Sequence, residues 1–291
     1  MIKVIAWGAL AWLALGQMAM AQSGEGCLAP DQLRDKDVRR HAAQLARDVC
    51  ISEIEIAEHG VPWRFTVIEN SKHQQGPTIF LLHDNENSAF DTALYAVRKY
   101  GGKLVALETG DSRDYQGQDP NRNFGATTQA TAPCAQMRRK PAPIFTKFLT
   151  DLRGRRPGFV LTLHNNANGH TGNGGSGGIS AARQSAVMKG LPAPGGGDED
   201  DAILLAGTQP FEQNGAAQKL VAQLHKAQVN VIYEHVRPEG NDCSFSNYIV
   251  LNQLGDYYNI EAQHGHTGPQ KRMLDILMGI ERVKVRDRGV K

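Results

Sequence analysis

Apolar and polar positions follow one another along the chain in blocks of two kinds. Short runs of Val, Ile, Leu, Phe and Tyr are typical of strands, whereas longer segments with apolar residues at helical spacing are typical of amphipathic helices. The pattern predicts strands over 63–69, 78–84, 102–108, 158–164, 229–236 and 257–263, and helices over 32–48, 88–100, 142–153, 215–227 and 269–283. Strands and helices thus alternate, which is the order expected of an α/β domain.

Several of the predicted strands are apolar throughout rather than at every second residue. The run "GFVLTLH" (158–164) is one of them, and such runs indicate a strand that is buried on both faces. Burial on both faces requires a layer of helices on each side of the sheet. We therefore expect a single three-layer α/β/α domain over 22–291, with a mixed, mostly parallel, twisted sheet.

A glycine-rich segment from Gly169 to about Gln209 interrupts this alternation. Loops of this length inside a compact domain are usually functional or unstructured. The segment begins five residues after His164, which ends a predicted strand. A lid over a site at that strand end and a plain insertion are both compatible with the pattern.

The N-terminal segment differs in character from the rest of the chain. Lys3 precedes the apolar run "VIAWGALAWLALGQMAMA", which ends in the small-x-small pattern Ala19-Met20-Ala21. This pattern predicts a secretory signal peptide over 1–21, with an uncleaved membrane anchor as the alternative. We expect the mature protein to be periplasmic or secreted.

Export changes the interpretation of the four cysteines, because disulfides persist in oxidising compartments. Four cysteines allow three pairings. Cys27 and Cys50 flank one short amphipathic segment, which favours a Cys27–Cys50 bridge and leaves Cys134 to pair with Cys243. Four unpaired thiols are the alternative.

The composition is that of a soluble globular protein, since 41% of the 291 residues are hydrophobic and 21% are charged. The formal net charge of +2 gives no indication of nucleic-acid binding. No later segment is apolar enough to span a bilayer, so we expect no membrane contact after signal cleavage. We also expect a monomer.

Titratable side chains stand where three predicted strands end. His83 and Glu86 lie at the end of "TIFLLHD", His164 ends "FVLTLH", and Glu261 interrupts the apolar run "YYNIEA". Sites in open α/β sheets form at the carboxyl ends of strands. Two imidazoles and one carboxylate are a ligand set of catalytic zinc, and a further carboxylate could accept a proton from water. Each residue alone is more often a bystander, but together they predict one Zn²⁺ per chain.

The polar segment "GQDPNRNFG" (117–125) contains a second candidate group, Asn121 and Arg122. The planar guanidinium of arginine matches a carboxylate with two hydrogen bonds, and the asparagine amide adds another donor. An ordinary turn is the alternative, because Asp-Pro-Asn is turn chemistry.

Taken in order, "HDNE", "DPNRNF", "LTLHNN" and "YYNIEA" resemble motifs of the carboxypeptidase A-like (funnelin-type) zinc metallopeptidases, and the likeness covers roughly residues 63–285. In that family a H-x-x-E pair and a later His bind zinc, N-R-N-[FW] binds the substrate's terminal carboxylate, and a Glu in a late strand is the general base. The resemblance implies a zinc carboxypeptidase-like fold. It assigns the zinc ligands to His83, Glu86 and His164, the carboxylate clamp to Asn121 and Arg122, and the base to Glu261.

Two further roles follow from the resemblance. Tyr248 in "CSFSNYIV" is similar to the family's mobile, substrate-covering tyrosine, and Arg113 in "GDSRDYQ" would polarise the carbonyl, although it lies closer to N-R-N than in the family. The chain departs from the family pattern at Asp84. It also has "AQHGHTG" where "LRDTG" is usual, which brings His264 and His266 near the predicted site.

The resemblance implies an exported carboxypeptidase that hydrolyses a C-terminal peptide or amide bond with zinc-activated water. Its substrate would be a peptide with a free carboxylate, either a murein peptide or a nutrient peptide. One alternative is a zinc acyl-amino-acid amidohydrolase of the aspartoacylase and succinylglutamate desuccinylase type, whose second, β-rich domain is not expected from the short segment after Glu261. The other is a degenerate peptidase that binds carboxylate-ended peptides without cutting them.

Overall fold

A computed structural model describes residues 26–45, 48–124, 142–153, 158–169 and 201–283. The predicted signal peptide lies outside these residues, and so do Cys134 and most of the predicted glycine-rich loop.

The described residues contain one sheet with the strand order β1-β2-β4-β3-β5-β8-β6-β7. Its strands are β1 (Val49–Glu58), β2 (Val61–Asn70), β3 (Thr78–Leu81), β4 (Lys103–Glu108), β5 (Phe159–Asn166), β6 (Ala202–Gly207), β7 (Asn230–His235) and β8 (Asp256–Gln263). The pairs β3/β4, β3/β5, β5/β8 and β6/β7 are parallel, and the other three pairs are antiparallel. The predicted mixed, mostly parallel sheet is confirmed.

Helices flank this sheet. They are α1 (Lys36–Arg40), α2 (Ala42–Leu45), α3 (Asn87–Tyr100), α4 (Pro143–Leu152), α5 (Gly215–Lys226), α6 (Phe245–Leu251) and α7 (Thr267–Ile280). Within the described ranges, none of them is long and apolar enough to cross a membrane.

Two hydrophobic clusters, one on each face of the sheet, explain the layered architecture. On one face α3 and α7 pack on the strands through residues at helical spacing, such as Ala89, Ala93 and Val97. On the other face α4 and α6 contribute Phe145 and Phe245 to an aromatic cluster. Both faces of the central strands are therefore covered, and the predicted three-layer α/β/α fold is confirmed.

The structure differs from the sequence prediction at four elements, one of which is the short helix α6, which was not predicted. The strand β1 was not predicted, although its apolar and charged residues largely alternate. The strand β6 lies inside the predicted loop of 169–209, because it pairs with β7 and β8 and so gains its hydrogen bonds from distant segments. The predicted helix 32–48 is instead two short helices, and Asp35 starts the first by accepting the backbone N–H groups of Asp37 and Val38.

A disulfide between Cys27 and Cys50 ties the N-terminal segment to β1, as predicted. The backbone N–H of Leu28 also donates to the carbonyl of Ile51 at 2.8 Å. The second predicted bridge, Cys134–Cys243, involves Cys134, which lies outside the described residues. No cysteine in the described part of the chain is free.

Replacing both Cys27 and Cys50 by alanine should lower the free energy of unfolding by about 3 kcal/mol, because the bridge restricts a loop of 23 residues in the unfolded chain. The midpoint of urea unfolding, compared with that of the parent protein, measures this change when the m-value is the same in both proteins. A midpoint that stays within error of the parent would show that the bridge does not stabilise the fold.

Candidate metal centre and active site

The site lies at the carboxyl ends of the neighbouring strands β3, β5 and β8. His83 and Glu86 stand in the turn between β3 and α3, and His164 lies in β5. Glu86 occupies the N-cap position of α3, but its side chain makes no capping hydrogen bond. The carboxylate instead contacts the two histidines. A side chain at a position that commonly caps a helix is therefore part of the cluster here.

The three side chains form a compact, buried cluster. Glu86 Oε1 lies 2.9 Å from His83 Nδ1, and Glu86 Oε2 lies 2.8 Å from His164 Nδ1. The two Nδ1 atoms are 3.1 Å apart. One ligand atom from each residue therefore faces a common point, and His83, Glu86 and His164 could together hold a metal ion.

Asp119 completes the surroundings of His83, and sequence reasoning missed it. Its Oδ1 atom accepts a hydrogen bond of 2.8 Å from His83 Nε2. This contact places the proton of a neutral imidazole on Nε2 and leaves Nδ1 as the lone-pair donor that faces the cluster. A carboxylate behind a histidine ligand is the usual means of fixing ligand orientation. The sequence pattern predicts only a turn role for the Asp of "DPNRNF". Asp119 also has that role, because its Oδ1 accepts the backbone N–H of Asn121.

The charges around the cluster favour a cation. Burial tends to lower the pKa of His83, but the charges and hydrogen bonds of Glu86 and Asp119 outweigh it and raise the pKa to about 9. Burial tends to raise the pKa of Glu86, whereas His164 and His83 hold it well below its ordinary value. The pocket thus attracts positive charge, which a proton or a metal ion can supply.

The donor set fits zinc. Two imidazole nitrogens and one carboxylate oxygen, within 4.8 Å of one another, are the donor types that zinc takes in catalytic sites.

Arg113 lies at the edge of the cluster. Its Nη1 atom is 3.2 Å from Glu86 Oε1, and its Nη2 atom is 3.4 Å from Asp119 Oδ2. The loop that carries it is held by Asp84, whose Oδ2 accepts the backbone N–H groups of Thr109 and Asp111 at 2.9 and 2.6 Å. The residue that departs from the family pattern therefore has a local role, which is to anchor the loop of Arg113.

Glu261 faces the cluster from β8. The register pairs Glu261 with His164 on β5, so their side chains share one face of the sheet. Asn259, two residues earlier on the same face, donates from Nδ2 to Glu261 Oε1 at 3.0 Å. A cavity of about 450 Å³ contains the cluster residues and Glu261 in its wall, which is a size typical of ligand sites.

The same cavity is lined by Asn121 and Arg122. Asn121 Oδ1 accepts the backbone N–H of Phe245, the first residue of α6, at 3.0 Å. Arg122 Nη2 lies 3.4 Å from the buried carboxylate of Asp242, and the arginine side chain is 23% exposed. A buried acid thus orients a guanidinium that still reaches the cavity, which an ordinary solvent-facing turn would not require.

Tyr248 is the predicted site residue that the structure does not bring to these groups. It lies in α6, is only 6% exposed, and belongs to the aromatic cluster between sheet and helices. Its ring centroid is 6.0 Å from that of Phe124. The burial of Tyr248 is that of a core residue, and its substrate-covering role stays a prediction of the motif likeness. The motif likeness alone could not distinguish a core tyrosine from a substrate-covering one, because the short buried helix α6 was not predicted there.

His264 and His266 have different positions. His264 lines the cavity, whereas Nδ1 of His266 lies 3.4 Å from the buried Asp201. The three-residue cluster above does not include either of them.

No protein-family model matches the chain, and no curated protein does. Among solved structures, the chain is similar to two that are each described as a "putative metallopeptidase". One is from Shewanella amazonensis SB2B, with 12% identity, a TM-score of 0.44, and coverage of 84% of this chain and 90% of that chain. The other is from Shewanella denitrificans OS217, with 11% identity, a TM-score of 0.44, and coverage of 84% and 87%. The LapA aminopeptidase of Legionella pneumophila has 11% identity and a TM-score of 0.42, over 88% of this chain and 64% of that chain. Similarities at this level do not assign the chain to a family.

His164→Ala should lose most of the bound metal, because it removes one of three protein ligands that converge on one point. Metal per chain, measured by elemental analysis after dialysis against excess Zn²⁺ and then buffer, tests this. His266→Ala is the matched control and should keep about one metal per chain. Full metal content in His164→Ala, or loss in the control alone, would contradict the assignment.

Proposed function

We propose that the protein is a metal-dependent peptidase, and more closely an exported zinc carboxypeptidase that hydrolyses a C-terminal peptide or amide bond. The observation that carries the proposal is the sharing of one cavity by three groups. A metal-binding cluster, the carboxylate of Glu261 and the cationic side chain of Arg122 all line it. Hydrolysis needs the metal-binding cluster and the carboxylate of Glu261, and selection of a chain end needs the cationic side chain of Arg122.

His83, Glu86 and His164 would hold the metal ion. When bound, the metal lowers the pKa of a coordinated water and polarises a carbonyl. Glu261 takes a proton from the attacking water and delivers it to the leaving amine. Asn259 donates to Oε1 of Glu261 and so orients that carboxylate for the transfer.

Arg113 would stabilise the oxyanion that forms at the former carbonyl. Its side chain is half exposed on the rim of the cluster, and its guanidinium contacts the candidate metal ligand Glu86 at 3.2 Å. Removal of one such donor commonly costs about 100- to 1,000-fold in rate.

Asn121 and Arg122 would bind the free carboxylate of the substrate. Arg122 offers two parallel N–H donors, which lysine does not, and Asp242 fixes its orientation. The clamp explains why a chain end rather than an internal bond would be cut.

Export is supported by the N-terminal signal pattern and by the disulfide of Cys27 and Cys50. Peptides of the extracellular or periplasmic space, including murein stem peptides, are therefore the proposed substrates. A digest of defined peptides and muropeptides, analysed by mass spectrometry, would identify them.

Glu261→Gln should keep metal and substrate binding and lose at least about 100-fold in kcat, because the amide cannot accept the proton. Steady-state hydrolysis and metal analysis on one preparation measure both effects. The exposed Glu212→Gln is the control and should behave like the parent. A kcat within about tenfold of the parent would exclude Glu261 as the proton carrier.

Arg122→Lys should reduce kcat/KM on free-acid substrates by roughly 30- to 4,000-fold, the equivalent of about 2 to 5 kcal/mol for a lost charged partner. C-terminally amidated peptides lack the carboxylate, so they should be poor substrates of the parent and change little. Arg237→Lys, at an exposed position, is the matched control. If acid and amide substrates lose activity equally, Arg122 does not act as a carboxylate clamp.

A further inference from the structure

Asn165 is a buried polar residue beside the candidate metal cluster that takes no part in the proposed reaction. It follows His164 in β5 and is 6% exposed. Successive residues of a strand face opposite sides of the sheet, so His164 faces the cluster while the amide of Asn165 reaches α3. Its Oδ1 atom accepts the backbone N–H of Ala89, in the first turn of that helix, at 3.0 Å.

The N–H of Ala89 is one that an N-cap side chain normally binds. Glu86 is the N-cap residue of α3, and such a side chain commonly accepts the N–H two or three residues further along. Ala89 is three residues further along and fully buried, so water does not reach this group. Its hydrogen is shared between the backbone carbonyl of Glu86, also at 3.0 Å, and Asn165. Asn165 therefore takes the place of the side-chain cap.

The carboxylate of Glu86 is used elsewhere. Its two oxygens lie 2.9 Å from Nδ1 of His83 and 2.8 Å from Nδ1 of His164, and it makes no capping hydrogen bond. One carboxylate cannot cap the helix and also face the cluster with both oxygens. Two adjacent residues of β5 thus divide the work, because His164 contacts the carboxylate and Asn165 contacts the helix.

The amide nitrogen of Asn165 fixes the direction of its oxygen. Nδ2 donates at 3.2 Å to the carbonyl of His164 and to that of Ala262 in β8. These bonds are not needed to join the two strands, because β5 and β8 pair along the whole length of both. Gln270 also donates to the carbonyl of His164, at 2.9 Å. With both carbonyls on its nitrogen side, the amide presents its oxygen to α3.

We propose that Asn165 is a positioning residue that caps α3 in place of Glu86 and so keeps the Glu86 carboxylate available for the metal ion. This inference rests on the metal site of the proposed function and not on its substrate. Without Asn165, the carboxylate at the N-cap position would be drawn to the uncapped helix terminus, where the helix dipole also favours a negative charge. The metal ion would then lose the alignment of one ligand.

Zinc affinity, measured by competition with a chromophoric chelator, tests this role. Asn165→Leu and Asn165→Ala should weaken zinc binding by about 10- to 100-fold, the usual effect of losing a residue that orients a metal ligand. Asn165→Asp keeps an oxygen acceptor for the N–H of Ala89 and loses the amide donors, so its affinity should stay within about threefold of the parent, below that range. An equal loss in the aspartate and leucine variants would assign the effect to the strand carbonyls and overturn the inference.

Asn70 offers a matched control at the other end of α3. It is fully buried, and its Nδ2 donates to the carbonyl of Val97 at 3.0 Å. Its Oδ1 accepts the backbone N–H groups of Lys72 and His73. Asn70→Leu should lower the urea midpoint of unfolding and leave zinc affinity within about threefold of the parent. A loss of affinity as large as that of Asn165→Leu would indicate a general loosening of α3 and would overturn the positioning role.

A crystal structure of zinc-free Asn165→Ala gives a readout that needs neither metal nor hydrolysis. We expect one Glu86 oxygen within hydrogen-bond distance of the N–H of Ser88 or Ala89, and no longer beside a histidine of the cluster. A carboxylate that stays between the two histidines overturns the inference. This result is independent of the proposed function, whose own failure would be a parent protein that binds no zinc or cleaves no peptide.

Discussion

The position of β5 between β3 and β8 is the constraint on which the candidate site depends. Parallel pairing brings the carboxyl ends of these strands to one edge, and the register places His164 beside Glu261. A shift of one residue would turn His164 to the opposite face of the sheet. The strand resists such a shift because every one of its residues is buried, so a slip would also exchange its two sets of packing contacts.

Buried charge is the second determinant, and it follows from the first. His83 and Glu86 are both buried at the edge of the sheet. Each needs a charged or hydrogen-bonding partner, because an isolated ion in the interior is strongly destabilising. Asp119 and Arg113 supply these partners. The result is a network in which two carboxylates flank one imidazole. Such a network is better suited to holding a cation than to stabilising the fold, since buried ion pairs often contribute little net stability.

The sequence predicted those parts of the fold that are encoded locally. The strand β5 is a continuous apolar run and α3 has regular helical spacing, and both were located within two residues of their observed bounds. The short strand β6 was missed because it depends on pairing with β7 and β8, which no local pattern reveals. The cluster residues were found through motif order and strand ends. Asp119 was not found, because its contact with His83 joins residues that are distant in sequence.

The turn from Asp119 to Arg122 joins the two ends of the candidate site in a single short piece of backbone. Asp119 holds His83 at 2.8 Å and also accepts the backbone N–H of Asn121, and Asn121 is fastened to Phe245. These contacts fix the distance between the metal-binding cluster and Arg122 through a turn of four residues. In the proposed carboxypeptidase, the length of this turn would determine how many residues are released in each cut. An inserted residue there would then change the size of the released fragment and leave the reacting groups unchanged.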